Sequence, residues 1–347
     1  MKGLRWVLLA GVLLGIPAHS VADALGGLAA FGKRNYNQAF KEVLPLAQNG
    51  NADAQNALAI LYEKGQGVPA DSREALKWFR RAAYQGHAGA QNSLGILYDK
   101  GRGVSSDYAE AFKWYRLAAK QGNPLAQNNL GAMYTFGRGV PRNYTEAMKW
   151  YLRSAKQGNA QAQNSLGAMF QFGLGLPRDY QKALKWYSRS ADQGDAFAQN
   201  NLGEMYFQGL GVRRDYMEAF KWFRLAAEQG NDFAQDNLGG MYLRGQGVAK
   251  NNREALNWYQ KAAEQGNAHA QIKLGFIFVN GLGVPQDYVR AYMWFNVAGR
   301  SGYEGAFNKR NIIASRMTPG EIELALEMAR NWKSKSKEYP YREDFYP

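Results

Sequence analysis

Residues 87–122 read HAGAQNSLGILYDKGRGVSSDYAEAFKWYRLAAKQG, and the fold is decided within this stretch. Ala90, Leu94 and Leu97 recur at spacings of four and three residues, which places them on one face of a helix. The letters GRGV then interrupt the pattern, and a second apolar pattern that contains Trp114 follows. The stretch therefore predicts two antiparallel helices joined by a glycine-rich loop.

The ends of these two helices carry residues with specific capping chemistry. Gly101 favours a left-handed helix end because it has no Cβ. Asp107 is expected to be the N-cap of the second helix, with Glu110 as its reciprocal partner in a capping box. Gly95 lies inside the first helix, where glycine costs up to about 1 kcal/mol relative to alanine. We therefore expect this glycine to mark a close approach to the tryptophan of the second helix.

The same pattern returns every 36 residues without a slip. Residues 51–302 number 252, which is seven times 36. A fixed period between about 20 and 50 residues indicates a solenoid, in which each unit buries its apolar face against its neighbours. The sequence therefore predicts an all-α fold, an α-α superhelical solenoid of helix-turn-helix repeats. The tryptophan that marks the period is found at Trp78, Trp114, Trp150, Trp186, Trp222, Trp258 and Trp294.

The repeated unit carries a family resemblance. The letters AQNSLGILYDKGRGV, followed by Asp107, Trp114 and Gly122, resemble the Sel-one-like repeat (SLR), a relative of the tetratricopeptide repeat with a longer glycine loop. The resemblance covers residues 51–302 as seven repeats and places the chain in the tetratricopeptide-repeat-like superfamily. It implies a scaffold or adaptor role, often in the bacterial envelope, and it implies no catalytic residues.

The segments on both sides of the repeats are expected to cap them. Residues 25–50 resemble an N-terminal capping helix pair, and residues 303–333 are expected to form C-terminal capping helices. Thr318 and Glu321 predict a capping box at the start of the last helix. Residues 334–347 mix lysines with tyrosines and prolines and are expected to be a flexible tail.

Residues 1–24 have the parts of an export signal: two basic residues, an apolar run of 11 residues, and small residues before the cleavage site. The run is too short to cross roughly 30 Å of hydrocarbon as a helix. No later stretch approaches that length, so we expect no membrane span in the mature form. The sequence predicts an exported, periplasmic protein whose signal peptide is cleaved near Ala22 or Ala24.

Positions that vary between repeats are free to recognise a partner. Several of them share the face of the first helix that lies opposite the core. In tetratricopeptide relatives the equivalent face lines the inner groove. One such position carries an amide in five successive repeats, which can hydrogen-bond an extended peptide or, alternatively, clamp neighbouring repeats together. Rings of the later repeats can anchor a partner or, alternatively, pack between repeats. The candidate groove residues are Asn92, Asn128, Asn164, Asn200, Phe136, Phe172, Phe197, Phe207, Phe233 and Leu243.

A basic stripe is expected on the second helices. The chain has 43 Lys and Arg against 29 Asp and Glu, and one lysine position repeats in five units. Such a stripe can attract an anionic polymer, with an affinity that falls with salt. The alternative is a solvated face that keeps the protein soluble. The stripe residues are Lys77, Lys113, Lys149, Lys185 and Lys221.

Composition argues against several kinds of chemistry. Zero cysteines exclude a disulfide framework and a thiolate metal site, and the three histidines have no partner in the repeat pattern. Each Gly-x-Gly loop follows a helix, whereas a nucleotide-binding loop follows a strand. We therefore expect no enzyme activity, no cofactor and no metal, and nucleic acid is not an expected partner.

Two functional hypotheses remain. The first is a non-catalytic protein-protein interaction scaffold of the bacterial envelope, which binds a protein or peptide segment in the concave groove. The alternative is a protein that binds an anionic envelope or host polymer, such as a polysaccharide, through a basic convex face.

Overall fold

Seventeen α-helices and no β-strand make up the part of the chain that the computed structural model describes, residues 35–303 and 305–335. The predicted signal peptide, residues 25–34 of the predicted N-terminal capping pair, and residues 336–347 of the predicted tail lie outside the described residues. Numbered in chain order, the helices are α1 Tyr36–Gln48, α2 Ala52–Lys64, α3 Ser72–Tyr84, α4 Ala88–Lys100, α5 Tyr108–Lys120, α6 Pro124–Phe136, α7 Tyr144–Lys156, α8 Ala160–Phe172, α9 Tyr180–Ala191, α10 Ala196–Gln208, α11 Tyr216–Glu228, α12 Asp232–Arg244, α13 Asn252–Glu264, α14 Ala268–Asn280, α15 Tyr288–Arg300, α16 Gly305–Ala314 and α17 Pro319–Asn331.

Helices α2 to α15 form seven consecutive pairs, repeats 1 to 7, in which the even-numbered helix comes first and the odd-numbered helix second. This arrangement confirms the predicted all-α solenoid of helix pairs. The chain divides into two compact units, the first ending at Ala162 and the second beginning at Gln163. Both units are built from the same kind of helix pair.

The glycine inside the first helix makes room for a ring of the second helix. A Cβ on Gly95 would lie 2.6 Å from Cδ1 of Tyr115, and Tyr115 is 1% exposed. The expectation that this glycine faces the tryptophan was wrong: the ring belongs to the next residue, because consecutive helical residues point about 100° apart. The same contact pairs Gly131 with Tyr151, Gly167 with Tyr187, Gly203 with Phe223, Gly239 with Tyr259 and Gly275 with Phe295.

The capping predictions are confirmed in part. Gly101 ends α4 in the left-handed region with φ 66°, and the Asp107 side chain accepts from two backbone N–H groups at the start of α5. The reciprocal half of the box was wrong, because the Glu110 carboxylate instead pairs with Lys113 Nζ at 2.5 Å. A full capping box begins α17, between Thr318 and Glu321, as predicted.

A buried glutamine ties repeat 2 to repeat 1, and the same bonds recur within both units. Gln91 Nε2 donates to the backbone carbonyl of Ala83 at 3.1 Å, and Gln91 Oε1 accepts from Gln121 Nε2 at 2.7 Å. The carbonyl belongs to the last turn of the preceding second helix, where helical carbonyls have no partner within their own helix. The recurring glutamine is therefore a structural residue. Its counterparts Gln55, Gln127, Gln199 and Gln235 make both bonds.

The second glycine of several loops contacts the preceding repeat of the same unit. Gly103 has φ +70°, and a Cβ there would lie 2.5 Å from the backbone oxygen of Ser72, the first residue of the preceding second helix. No side chain fits at this distance, so the Gly-x-Gly spacing is set by repeat stacking. The same contact joins Gly139 to Tyr108 in the first unit and Gly247 to Tyr216 in the second.

Candidate functional site

The predicted row of groove asparagines is largely buried and forms hydrogen bonds from repeat to repeat. In the first unit, Asn129 Nδ2 donates to Asn92 Oδ1 at 3.0 Å, and Asn128 is also buried. In the second unit, Asn201 donates to Asn164 at 2.9 Å and Asn237 donates to Asn200 at 3.1 Å. The Oδ1 atoms of Asn92, Asn164 and Asn200 are thus occupied by the neighbouring repeat, which is the arrangement that the clamp interpretation expects. Asn128 departs from it, because its Oδ1 is buried without a hydrogen bond to any described residue. Recognition of a peptide by the amides stays a prediction.

The predicted apolar groove residues differ in how much of their surface is exposed. Phe136, in the first unit, is partly buried, with the Arg138 guanidinium 5.6 Å from its ring centre. Phe172, at the end of α8, is 42% exposed. The second unit also holds four partly buried members of the set, which are Phe197, Phe207, Phe233 and Leu243. Phe172 is therefore the most accessible of the predicted apolar anchors.

Phe207 shows why partial burial matters for its role. Its ring centre lies 5.2 Å from that of Tyr216 and 6.3 Å from that of Phe223. These distances are typical of aromatic pairs that stabilise a fold. Phe207 thus contributes to packing within repeat 5, and its exposed part contributes to the face of the first helices.

Sequence reasoning missed a polar group of residues on the first helices of the second unit. Glu204 stands in α10 where the other repeats carry an aliphatic, aromatic or glycine residue, such as Ile96 in α4 and Phe276 in α14. Burial raises the pKa of the Glu204 carboxyl, and the nearby amides of Asn237 and Asn200 lower it in part. The departure from an otherwise apolar position was the signal that could have identified it.

Asp236 and His269 form a second departure from the pattern. Asp236 replaces the recurring asparagine in α12, and its Oδ2 lies 2.6 Å from Nδ1 of His269 in α14. Its other oxygen, Oδ1, is buried without a hydrogen bond. The row of amide bonds thus ends at this repeat, and a carboxylate-histidine pair takes its place.

The basic stripe is exposed, and its charge is largely balanced. All five predicted lysines are exposed. Four of them pair with a glutamate three residues earlier on the same helix, which leaves little net charge along the stripe. Lys185 makes no ion pair within the described residues, because Lys182 stands where the glutamate would be. The pairs are Lys77–Glu74 at 2.9 Å, Lys113–Glu110 at 2.5 Å, Lys149–Glu146 at 2.7 Å and Lys221–Glu218 at 2.5 Å.

Among residues 35–303 and 305–335, no three His, Asp or Glu side chains come close enough together to hold a metal ion. None of the helices described there combines the length and apolar character that crossing a bilayer requires.

The paired helices and the bonds between successive pairs define an α-helical repeat protein, and comparison with known proteins identifies its family. The Sel1 repeat family model matches seven consecutive segments, residues 52–87, 88–123, 124–159, 160–195, 196–231, 232–267 and 268–303. The chain therefore belongs to the Sel1 repeat family. A comparison with curated protein sequences found no match.

Several solved structures are similar to this chain. A Sel1 repeat protein from Oxalobacter formigenes is 35% identical, with 69% of this chain and 96% of that chain covered and a TM-score of 0.66. The protective antigen c5321 of uropathogenic Escherichia coli, which displays an SLR fold, is 31% identical, with 95% and 86% covered and a TM-score of 0.42. The immunity protein PA5088 from Pseudomonas aeruginosa is 21% identical, with 62% and 81% covered and a TM-score of 0.46.

Membership in the family fixes a broad function. Sel1 repeat proteins are generally scaffolds for protein-protein interaction. The fold is typically non-catalytic.

Proposed function

We propose that this protein is a non-catalytic scaffold of the bacterial envelope that binds a segment of a partner protein on the first-helix face of its second unit. The first-helix face is the accessible side of α8, α10, α12 and α14. The observation that carries the proposal is Phe172, which stays 42% exposed at the end of α8. A large apolar ring left open to solvent is typical of a protein-binding surface.

The variable positions of this face favour a mixed apolar and polar partner. Exposed Gln208 and Arg244 stand where Phe172 stands in its own repeat, at steps of 36 residues. Partly buried Phe207 and Leu243 come directly before them in the sequence. An amphipathic or extended segment can place apolar side chains against the rings and polar groups against the amide and guanidinium.

The energy available from Phe172 can be worked from its exposure. A phenylalanine buries on the order of 200 Å², so 42% exposure leaves roughly 80 Å² for a partner. At about 25 cal/mol per Å² this area is worth about 2 kcal/mol. Replacing Phe172 by serine is therefore expected to weaken the complex by roughly 30-fold. The melting temperature should fall as well, because more than half of the side chain is buried, so binding is compared at a temperature where both proteins are folded.

A photo-crosslinking experiment tests the face directly. A photoreactive phenylalanine is placed at Phe172 or Gln208, and matched controls carry it at the exposed second-helix residues Lys185 and Lys221. The expected result is one protein that crosslinks in the envelope to positions 172 and 208 and not to the controls. Equal crosslinking at the two lysines, or none at position 172, would contradict the proposal.

The alternative partner is an anionic envelope or host polymer bound through the basic stripe of the second helices. The net charge of +14 supports it, while the four glutamate pairs oppose it. Reversing the charge with Lys113→Glu, Lys149→Glu and Lys185→Glu tests this alternative on a heparin column. Elution at a lower salt concentration supports the alternative, and unchanged retention removes it.

We also propose that the protein is exported to the periplasm, with cleavage near Ala22 or Ala24. Cell fractionation and N-terminal sequencing of the periplasmic form test this. A product that keeps Met1 in the cytoplasmic fraction would contradict it.

A further inference from the structure

An open cleft of about 580 Å³ lies at the loop end of repeats 5 and 6, within the second unit. Its volume falls in the range of about 300–1,000 Å³ that is typical of ligand pockets. Tyr206, Arg213, Arg214, Tyr216, Met217 and Gly247 are among the residues that line it. The cleft thus combines cationic and apolar groups, and it uses none of the residues assigned to the first-helix face.

Two arginines that are adjacent in the sequence line the cleft. Arg213 and Arg214 are exposed, and neither makes a hydrogen bond, ion pair or ring contact with any residue that the structure describes. The counterpart of Arg214 in repeat 4 is Arg178, whose guanidinium lies 5.7 Å from the ring centre of Tyr180 and donates to its hydroxyl at 3.0 Å. Repeat 5 therefore holds, at two consecutive positions of the chain, guanidinium groups that make no contact of this kind with the described residues.

The acidic residue beside the arginines is already engaged. Asp215 Oδ1 accepts from the backbone N–H groups of Met217 and Glu218 at 2.9 and 3.0 Å, which makes it the N-cap of α11. It makes no ion pair with either arginine within the described residues. The wall of the cleft therefore offers cationic groups that can donate hydrogen bonds to an external carboxylate.

The apolar side of the cleft is accessible as well. Met217 is 65% exposed, which is high for a large apolar side chain at the start of a helix. Methionine adapts its shape to a bound side chain because it is unbranched and polarisable. Next to it, Tyr216 is partly buried, with its ring against Phe207. A ligand that carries only negative charge would leave this side without a contact.

We propose that the cleft binds an acidic segment of a partner protein, in which two neighbouring carboxylates pair with Arg213 and Arg214 and an adjacent apolar side chain lies against Met217. Guanidinium groups bind carboxylates through paired, charge-assisted hydrogen bonds, which favours arginine over lysine at such a site. The site goes beyond the function proposed above, because it lies on the loops and selects the charge of a partner.

The probe is a fluorescein-labelled peptide, Gly-Glu-Glu-Phe-Gly, and its matched control is Gly-Gln-Gln-Phe-Gly. Fluorescence anisotropy with the full chain is expected to show binding of the first peptide only, and weaker binding as the salt concentration rises. Arg213→Gln and Arg214→Gln are each expected to weaken binding about tenfold, the size expected when one charge-assisted hydrogen bond is lost. Arg178→Gln is the control variant, because that arginine is already held by Tyr180.

Several outcomes would overturn the proposal. The proposal is wrong if the acidic peptide does not bind, or if the glutamine peptide binds equally well. It is also wrong if the double variant Arg213→Gln with Arg214→Gln keeps its melting temperature and binds the acidic peptide as tightly as the wild type. Displacement of the peptide by millimolar inorganic phosphate would show a general anion site instead.

The chain itself offers one competing occupant. Residues 343–346 read Glu-Asp-Phe-Tyr, which has the same chemistry as the probe. A chain that ends at Lys335 is therefore compared with the full chain. If the peptide binds only to the shortened chain, the occupant is this chain's own segment and the proposal of a partner protein is wrong. Equal binding by both chains supports it, and neither result depends on crosslinking at Phe172.

Discussion

Replacing Gly95 by alanine should destabilise this protein, although alanine is the better helix former. The alanine Cβ would lie 2.6 and 2.7 Å from two ring carbons of Tyr115, whereas carbon atoms pack best at about 3.5–4.0 Å. The ring cannot move into solvent, because Tyr115 is 1% exposed. Overpacking of this kind costs about 1–3 kcal/mol, and the gain in helix propensity is at most about 1 kcal/mol. The expected net loss is about 1–2 kcal/mol in the free energy of unfolding.

The matched control is Gly320→Ala in α17. A Cβ on Gly320 meets nothing within 4 Å, so this substitution should be neutral or should stabilise by up to about 1 kcal/mol. Urea unfolding followed by far-UV circular dichroism measures both changes, with equal m-values required for the comparison. Repeat 1 carries Ala59 at the position equivalent to Gly95 and Phe79 at the position equivalent to Tyr115, and both are fully buried. A helix pair therefore accommodates a methyl group at this position when the surrounding side chains leave space for it.

A double-mutant cycle completes the test of this contact. Tyr115→Leu removes the ring, so Gly95→Ala should cost less in that background than in the wild type. The difference between the two costs measures the coupling of the two residues. If Gly95→Ala stabilises the protein as much as Gly320→Ala does, or if no coupling is found, the close approach of helix and ring is not what requires the glycine.

The other predictions concern the hydrogen bond of Gln91 and the pKa shifts of two separate glutamates. Gln91→Ala should cost about 1–3 kcal/mol in the urea experiment, because it leaves the buried carbonyl of Ala83 without its donor; a loss below about 0.5 kcal/mol would contradict this. Burial raises the pKa of Glu204, so the folded state holds its proton more tightly and Glu204→Gln should stabilise at neutral pH. The gain should fade as the pH falls through the raised folded-state pKa and should be absent below the ordinary glutamate pKa. Hydrogen bonds from Thr318 lower the pKa of Glu321, so Glu321→Gln should destabilise at neutral pH and lose its effect in acid. Thermal melts at several pH values measure the effects of both glutamate substitutions. Effects of the same sign at neutral pH would refute the opposite pKa shifts of Glu204 and Glu321.

The sequence alone was sufficient for features that depend on one residue and its own chain neighbours. Gly101 as a left-handed helix end and Asp107 as an N-cap follow from conformational freedom and from a short polar side chain, and both are present in the structure. Glu110 was different, because two partners compete for it. Lys113 lies one turn away and carries a full charge, so it takes the carboxylate that the N-cap backbone would otherwise bind.

Features that depend on geometry between helices could not be read in the same way. Trp114 and Tyr115 are both aromatic and adjacent, and only the rotation of the second helix decides which of them meets Gly95. The bond from Asn129 to Asn92 spans 37 residues and depends on how one repeat stacks on the next. The cleft at Arg213 lies in a loop whose residues vary between repeats, so no period points to it.

The division between constant and variable positions has a consequence for where function can reside. The constant residues have their hydrogen-bonding and packing capacity used by stacking: Gln91 bonds to two partners, and a side chain at Gly103 would collide with the preceding repeat. A partner cannot use these groups without opening the stack. Recognition therefore has to use departures from the pattern, and exposed Phe172 and unpaired Arg213 are such departures in the second unit. Repeat 2 lacks both departures, because Lys100 and Ser105 stand at the equivalent places. Lys100→Phe with Ser105→Arg should therefore create binding in the first unit, whereas substitutions at the constant positions should lower stability without creating binding.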